Sequence, residues 1–184
     1  APDKRARMYR RFAKLVPCQI ATFFMLPNYY CGYRGKPIHM YGEIDLLIVD
    51  EAGQVAPEIG VPSFSLAKRA LVVGDIFQIE PVWSVAVGTD SANAVESGVV
   101  RSEEEYEELE KRGFFAASGN LMRMAQLACR HTQYPELSPG MMLVEHRRCV
   151  PAIIAYCNDL VYKGKLEPRR RESEEERRSR PSFL

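Results

Sequence analysis

The chain has 184 residues, with 25 Lys and Arg against 24 Asp and Glu and a formal charge of +1. At 46% hydrophobic and 27% charged it has globular composition, which excludes global disorder, and its near-zero charge gives no argument of its own for a polyanionic partner. The longest apolar stretch, residues 20–26, is broken by Thr22 and falls far short of the roughly 18 residues that span a bilayer, so no membrane helix is expected.

The basic segment from Arg5 to Leu15 carries Met8, Phe12 and Leu15 on one side, which predicts a short amphipathic helix stopped by Pro17. The charged run Ala1-Pro2-Asp3-Lys4-Arg5 reads as neither a signal peptide nor a lipidation site, and the expected compartment is the cytoplasm, or the nucleus if the source is eukaryotic. Residues 19–25, rich in Ile, Phe and Thr, predict a strand, and the Pro, Asn, Tyr and Gly stretch up to Pro37 predicts an irregular loop. Leu46-Leu47-Ile48-Val49 and Ala70-Leu71-Val72-Val73 are continuous apolar runs, the pattern of parallel strands covered on both faces. Between them, residues 57–66 have the length of a crossover, though their Pro and Gly content speaks against one long helix. The class expected is α/β.

Beyond Trp83 the chain turns small and polar over residues 88–97, and the acidic run Glu103 to Glu110, anchored by Tyr106 and Leu109, predicts a solvated helix. Leu121, Met124, Ala125 and Ala128 predict a better buried helix ending near Cys129. Met141 to Val144 reads as a strand, and Val150, Ile153, Ile154, Cys157, Leu160 and Val161 fit one face of a helix that begins at Pro151 and ends near Gly164. The Arg and Glu mixture of residues 169–180 predicts a loose tail. Cys18, Cys31, Cys129, Cys149 and Cys157 are odd in number and contain no C-x-x-C pair, so they read as reduced thiols. Cys129-x-His131 and His146-x-x-Cys149 hold ligand types that zinc prefers, but His146 and Cys149 also belong to a longer motif described below.

Two strand ends carry the chemistry. The first apolar run stops in Asp50-Glu51-Ala52-Gly53-Gln54, and ligands of open α/β sheets bind at the carboxyl ends of strands. Adjacent acids there can divide labour, Asp50 holding Mg²⁺ through its water shell and Glu51 deprotonating an attacking water. Alone, such an acidic strand end is common. The second run stops in Gly74-Asp75-Ile76-Phe77-Gln78-Ile79-Glu80-Pro81, and neighbouring strand ends would bring the Gln78 amide beside the two acids, where it can sense a terminal phosphate.

The pair DEAGQ and GDIFQIEP resembles motifs II and III of superfamily 1 helicases, in the branch that includes the nonsense-mediated-decay RNA helicase and related bacterial proteins. The segment from Leu143 through Glu145-His146-Arg147-Arg148-Cys149 to Ile154, continuing to Asn158 and Tyr162, resembles motif IV and the start of that branch's second RecA-like domain. The resemblance runs from about Val16 to about Glu167, with motif order and spacing in agreement. It implies a partial RecA-like parallel sheet of P-loop NTPase type over residues 1–87, a helical connector or insertion over 88–140, the start of a second RecA-like domain over 141–168 and a charged tail over 169–184.

Carried onto this sequence, the resemblance makes Asp50 the Mg²⁺-associated acid, Glu51 the catalytic base and Gln78 the γ-phosphate sensor. Asp75 would support Gln78, and Gln54 would couple the two motifs. Arg148 matches the arginine that stabilises charge on the γ-phosphate in the manner of an arginine finger, the plain alternative being a surface arginine. The family usually has Tyr or Phe before that arginine, stacking on adenine; here Arg147 stands instead, and a guanidinium can also stack on a purine. Ile79-Glu80-Pro81 replaces the more frequent Leu-Pro-Pro. Trp83 matches an aromatic that stacks on a single-stranded base in some members, with core packing as the alternative, and Thr22 falls in a segment resembling a strand-contacting motif.

A phosphate-cradling G-x-x-x-x-G-K-[ST] loop is missing: Gly35-Lys36 and Gly164-Lys165 are followed by Pro37 and Leu166. In the family that motif lies upstream, so the chain reads as an interior slice whose apolar strand edges are left uncovered. Two functions are therefore expected as alternatives. One is a segment of an ATP-dependent helicase or translocase acting on single-stranded DNA or RNA, with ATP, Mg²⁺ and the remainder of the chain or a complementary subunit. The other is an inactive remnant serving as a nucleic-acid or protein interaction module.

Overall fold

The computed structural model describes residues 2–33, 35–171 and 173–179. The chain forms two compact units, Ala1–Ala128 and Cys129–Leu184. The single division falls after Ala128, so residues 88–128, expected as part of a separate connector, belong to the first unit. Among the described residues no helix is long and apolar enough to cross a membrane.

The first unit opens with helix α1 (Pro2–Phe12), which covers most of the basic segment expected to be helical. Residues 19–25 form no strand; they run into a turn in which the Thr22 carbonyl accepts from the Met25 and Leu26 amides at 3.1 and 3.0 Å, leading to the short helix α2 (Leu26–Tyr29). Local turn bonds thus win over the β-propensity of the segment. An antiparallel hairpin follows, β1 (Cys31–Tyr33) within the stretch expected to be a loop and β2 (Pro37–His39) beginning at its end.

Strands β3 (Leu47–Val49) and β4 (Ala70–Val72) pair in parallel, with Leu47 opposite Ala70, Ile48 opposite Leu71 and Val49 opposite Val72. The crossover between them is a 3-10 turn (Ala52–Gln54) and helix α3 (Pro57–Phe64), kept short by Pro at its start and by Pro62 inside it. Alternation along a strand sends Leu47 and Val49 to one face and Ile48 to the other. The first face is packed: Val49, Ala52 and Leu121 are buried together, with Phe23, Leu47, Val55, Phe64 and Val72 against them. The second is open, Ile48 being 61% and Leu71 53% exposed, so the expectation of cover on both faces holds for one face only.

Helices α4 (Val87–Glu96), α5 (Glu103–Lys111) and α6 (Leu121–Ala128) complete this unit. The acidic run of α5 is capped by Ser102, whose hydroxyl accepts from the Glu105 amide, while Glu105 reaches back to the Arg101 amide at 2.7 Å. Three glutamates in its first turn also suit the positive end of the helix dipole. Tyr106 and Phe115 stack at 4.1 Å in a small core with Ala94 and Val100. α6 is fastened to the crossover, the Leu121 amide donating to the Val55 carbonyl at 3.0 Å. Gly60 of α3 gives the Leu121 side chain its space, since a Cβ there would overlap it. That fastening is why the 88–128 stretch is part of the first unit.

The second unit is a strand, helix, strand arrangement: β5 (Glu145–His146), α7 (Pro151–Leu160) and β6 (Glu167–Pro168), the two strands being parallel. The strand expected to begin over Met141–Val144 is thus confined to the two residues that follow. Of the apolar face expected on α7, Val150 and Ile154 are buried, whereas Ile153, Cys157 and Leu160 are exposed. Asn158 clamps the return loop, its amide nitrogen donating to the Leu166 carbonyl at 3.0 Å and its oxygen accepting from the Leu166 amide at 2.9 Å. The start of the expected loose tail is held: the Arg169 amide donates to the His146 carbonyl at 2.8 Å and Arg170 to the Arg148 carbonyl at 2.9 Å, ahead of helix α8 (Glu174–Ser179). Glu172 and residues 180–184 of that tail lie outside the described residues.

The Tyr106 phenol donates to Asp90 Oδ2 at 3.3 Å. Burial, reinforced by the Asp90 charge, pushes its pKa up to about 12. A tyrosine that holds its proton more tightly when folded stabilises fully below the ordinary value near 10 and loses that contribution as pH rises through the folded value. An ultraviolet phenolate titration is expected to show one tyrosine ionising near pH 12 together with loss of structure. Tyr106→Phe should remove that step and lower unfolding free energy at neutral pH by about 0.5–1.5 kcal/mol. A late step that persists in the variant would refute the assignment.

Candidate functional site

The ends of β3 and β4 meet through backbone. The Val73 amide donates to the Val49 carbonyl at 2.8 Å, and the Ala52 amide donates to the Val73 carbonyl at 2.9 Å. Beyond these bonds the two turns touch where neither has a side chain. A Cβ on Gly53 would overlap the Asp75 carbonyl oxygen, and a Cβ on Gly74 would stand 2.8 Å from the amide nitrogens of Ala52 and Gly53. Ala52 is fully buried beneath this contact. Both glycines are in the quoted motifs, within DEAGQ and at the head of GDIFQ, but sequence reasoning gave them no part; a glycine in each of two strand-end turns was the signal available.

Five polar side chains surround that contact. Asp50 Oδ1 accepts from the Glu51 amide at 3.0 Å. Glu51 takes a left-handed backbone conformation, φ 53° and ψ 40°, unusual for a residue with a side chain. Such a residue carries about 1–2 kcal/mol of strain, which the surrounding bonds must hold. Gln54 Nε2 lies 3.4 Å from Glu51 Oε2, a long hydrogen bond back across the 3-10 turn. In the second turn Asp75 Oδ1 accepts from the Phe77 amide at 2.9 Å and Oδ2 accepts from Gln78 Nε2 at 3.1 Å. Asp75 therefore shapes its loop and positions Gln78, while Asp50, Glu51, Gln54 and Gln78 are all exposed.

The structure brings Asp50, Glu51 and Gln54 to one turn and Asp75 and Gln78 to the turn packed on it. The other expected residues stand elsewhere. Thr22 sits in the turn before α2 rather than at a strand end, although its neighbour Phe23 packs under β3. Trp83 is half-buried and its indole Nε1 donates to the Gly119 carbonyl at 2.9 Å, a bond that ties the segment after β4 to the loop before α6. Arg147 and Arg148 belong to the second unit, where both are exposed. Arg147 pairs with Glu145 at 2.6 Å, which holds the Glu145 carboxyl below its usual range. As for the zinc ligand types, His146 Nε2 accepts from the Cys149 amide at 2.9 Å, which closes the turn into α7. Among the described residues no three His, Cys, Asp or Glu are grouped to hold a metal ion.

The donor chemistry of the first turn nevertheless suits magnesium, which keeps several waters and is commonly held by one or two carboxylates together with substrate phosphates. Asp50 supplies such an oxygen donor at the surface. No family model, no curated protein and no solved structure matches the chain.

The contact between the turns predicts a sharp asymmetry among glycines. Gly53→Ala and Gly74→Ala should each destabilise the protein by about 1–3 kcal/mol, the range for forcing extra atoms into packed space. Gly88→Ala, where an added Cβ meets nothing within 4 Å, should be neutral or stabilise α4 by up to about 1 kcal/mol. Urea midpoints of the three variants measure this, and equal midpoints would contradict the contact.

Proposed function

We propose that the chain is a segment of an ATP-dependent superfamily 1 DNA or RNA helicase or translocase, contributing hydrolysis residues of a RecA-like fold to a site whose phosphate loop comes from the remainder of the protein or a complementary subunit. The observation that supports this is the close approach of two polar strand-end turns through Gly53 and Gly74, which gathers the residues of the DEAGQ and GDIFQ segments at one end of a parallel strand pair.

In this reading Glu51 is the general base. Its carboxylate takes a proton from a water as the water oxygen bonds to the γ-phosphorus and the bond to the β,γ-bridging oxygen breaks, leaving ADP and phosphate. Asp50 would hold Mg²⁺, which would supply charge neutralisation to the phosphates. Gln78, steadied by Asp75, hydrogen-bonds the γ-phosphate and reports its loss, and Gln54 restrains Glu51. The resemblance assigns Arg148 to charge stabilisation on the γ-phosphate, Arg147 to the adenine, and Trp83 and Thr22 to the single strand.

A second reading requires no G-x-x-x-x-G-K-[ST] loop. Here the two turns persist as scaffold, and the protein is an interaction module that binds nucleic acid or protein without turnover.

ATP hydrolysis by the gene product, stimulated by single-stranded DNA or RNA, separates the two. The motor reading expects Glu51→Gln to lower kcat by about 10²–10⁴-fold, the usual share of a general base, with ATP binding retained. Unchanged hydrolysis in that variant, or no stimulated hydrolysis in the parent, would overturn it in favour of the module.

A further inference from the structure

A formal charge of +1 hides two opposite poles in the first unit. Residues 4–15 hold six Lys or Arg and no acid, and residues 103–110 hold six Glu and no Lys or Arg. α1 is fastened on one side, where Ala6 is buried, Tyr9 stacks on Tyr30 at 4.9 Å and Arg10 holds Glu43 through Nε and Oε2 at 2.9 Å. Lys4, Arg11 and Lys14 recur at intervals of seven and three, so they share the opposite side, and all three are exposed. Helical bonding carries on past Phe12 to keep them in line, the Ala13 amide donating to the Tyr9 carbonyl at 2.8 Å and the Val16 amide to the Phe12 carbonyl at 2.9 Å. Met8, Phe12 and Leu15 lie exposed along one flank of this basic stripe.

α5 is built the same way with the sign reversed. Tyr106 and Leu109 turn into the small core with Ala94, Val100 and Phe115. Glu103, Glu104, Glu107 and Glu108, at the spacing of one helix face, are exposed on the other side. Among the described residues no glutamate of α5 is in an ion pair, so the acidic stripe is not neutralised within the chain. Exposed Val99 and Phe114 stand just before and just beyond the helix.

We infer that the chain associates with a second copy of itself, the basic outer side of α1 in one copy lying along the acidic outer side of α5 in the other. At 1.5 Å per residue Lys4 to Lys14 spans about 15 Å and Glu103 to Glu108 about 8 Å, so the acidic stripe fits within the length of the basic one. Isolated surface ion pairs contribute little, but here several charges of each sign face outward together with apolar side chains at their edges. Each copy carries both sides, so a closed pair makes the contact twice. An anionic lipid surface would suit α1 but leave the acidic stripe of α5 unanswered, whereas a second copy meets both. The inference does not depend on ATP chemistry, and its test contains no nucleotide.

Sedimentation equilibrium of the full chain over a series of concentrations measures it. At low salt the mass should rise toward that of two copies, and about 1 M salt, where charges act over only about 3 Å, should weaken the association. Arg11→Glu with Lys14→Glu, and separately Glu107→Lys with Glu108→Lys, should each weaken it by about tenfold or more, since each sets like charges face to face. An equimolar mixture of these two variants should recover it, because every contact then pairs opposite signs. Glutamine at the same pairs of positions keeps helix propensity and should weaken it by a smaller factor. Far-ultraviolet circular dichroism checks the helix content of each variant. A chain that keeps the mass of one copy throughout, variants of parental helix content that associate like the parent, or a mixture no better than its components would each overturn the inference. So would binding to phosphatidylserine vesicles in place of self-association.

Discussion

The contact between Gly53 and the Asp75 carbonyl, matched by Gly74 against the Ala52 and Gly53 amides, is the constraint on which the polar end of the first unit depends. Two hydrogen-bonded strands fix only their own register. What happens beyond Val49 and Val72 depends on whether the emerging turns can approach, and any side chain at either glycine would hold them apart. Because neither has one, the Ala52 amide reaches the Val73 carbonyl and Ala52 is buried against Val49 and Leu121. The chain can then enter the 3-10 turn and α3, whose Gly60 in turn admits Leu121 of α6. A succession of small residues, Ala52, Gly53, Gly60 and Gly74, thus lets strands, crossover and the last helix of the unit close on one another.

Much of this was legible in the sequence where apolar residues repeat with the period of an element. β3 and β4 fall inside Leu46–Val49 and Ala70–Val73, and α5, α6 and α7 lie where Tyr106, Leu121 and Ile154 anchor helical faces. Residues 19–25 were misleading because β-propensity describes fit to a pleated, partly buried surface, and among the described residues no strand pairs with that segment; the Thr22 carbonyl instead closes a turn. The hairpin at Cys31–His39 was hidden because Gly35, Pro37 and their neighbours carry turn chemistry, while the strands they join are only three residues each. The tail looked featureless since its start is held by bonds to the backbone carbonyls of His146 and Arg148, which composition does not encode.

The residues of the two turns were legible in the sequence, and their bonds were not. Five polar residues named from two strand ends do lie on two turns in contact. How their side chains differ in partners is visible only in the bonds. Asp75 spends both carboxylate oxygens on its own loop, one on the Phe77 amide and one on Gln78, so it acts as a fixture for the amide rather than as an open ligand. Trp83 likewise commits its indole N–H to Gly119, which gives it a structural task whatever its ring contacts.

The left-handed conformation of Glu51 sets two consecutive carboxylates at a strand end in different surroundings. Continued extended backbone would already send neighbouring side chains to opposite faces, but it would also carry the chain straight on, away from β4. A single residue at φ 53° instead turns the chain sharply, so that the next amide, that of Ala52, bonds to Val73 while Gln54 comes back to the Glu51 carboxylate. Asp50 remains an extension of the strand, its Oδ1 capping the Glu51 amide at the corner. The strain at residue 51 is therefore balanced by backbone bonds on the same turn. Glycine would relieve that strain and keep the turn, but it would remove the carboxylate to which the Gln54 amide comes back.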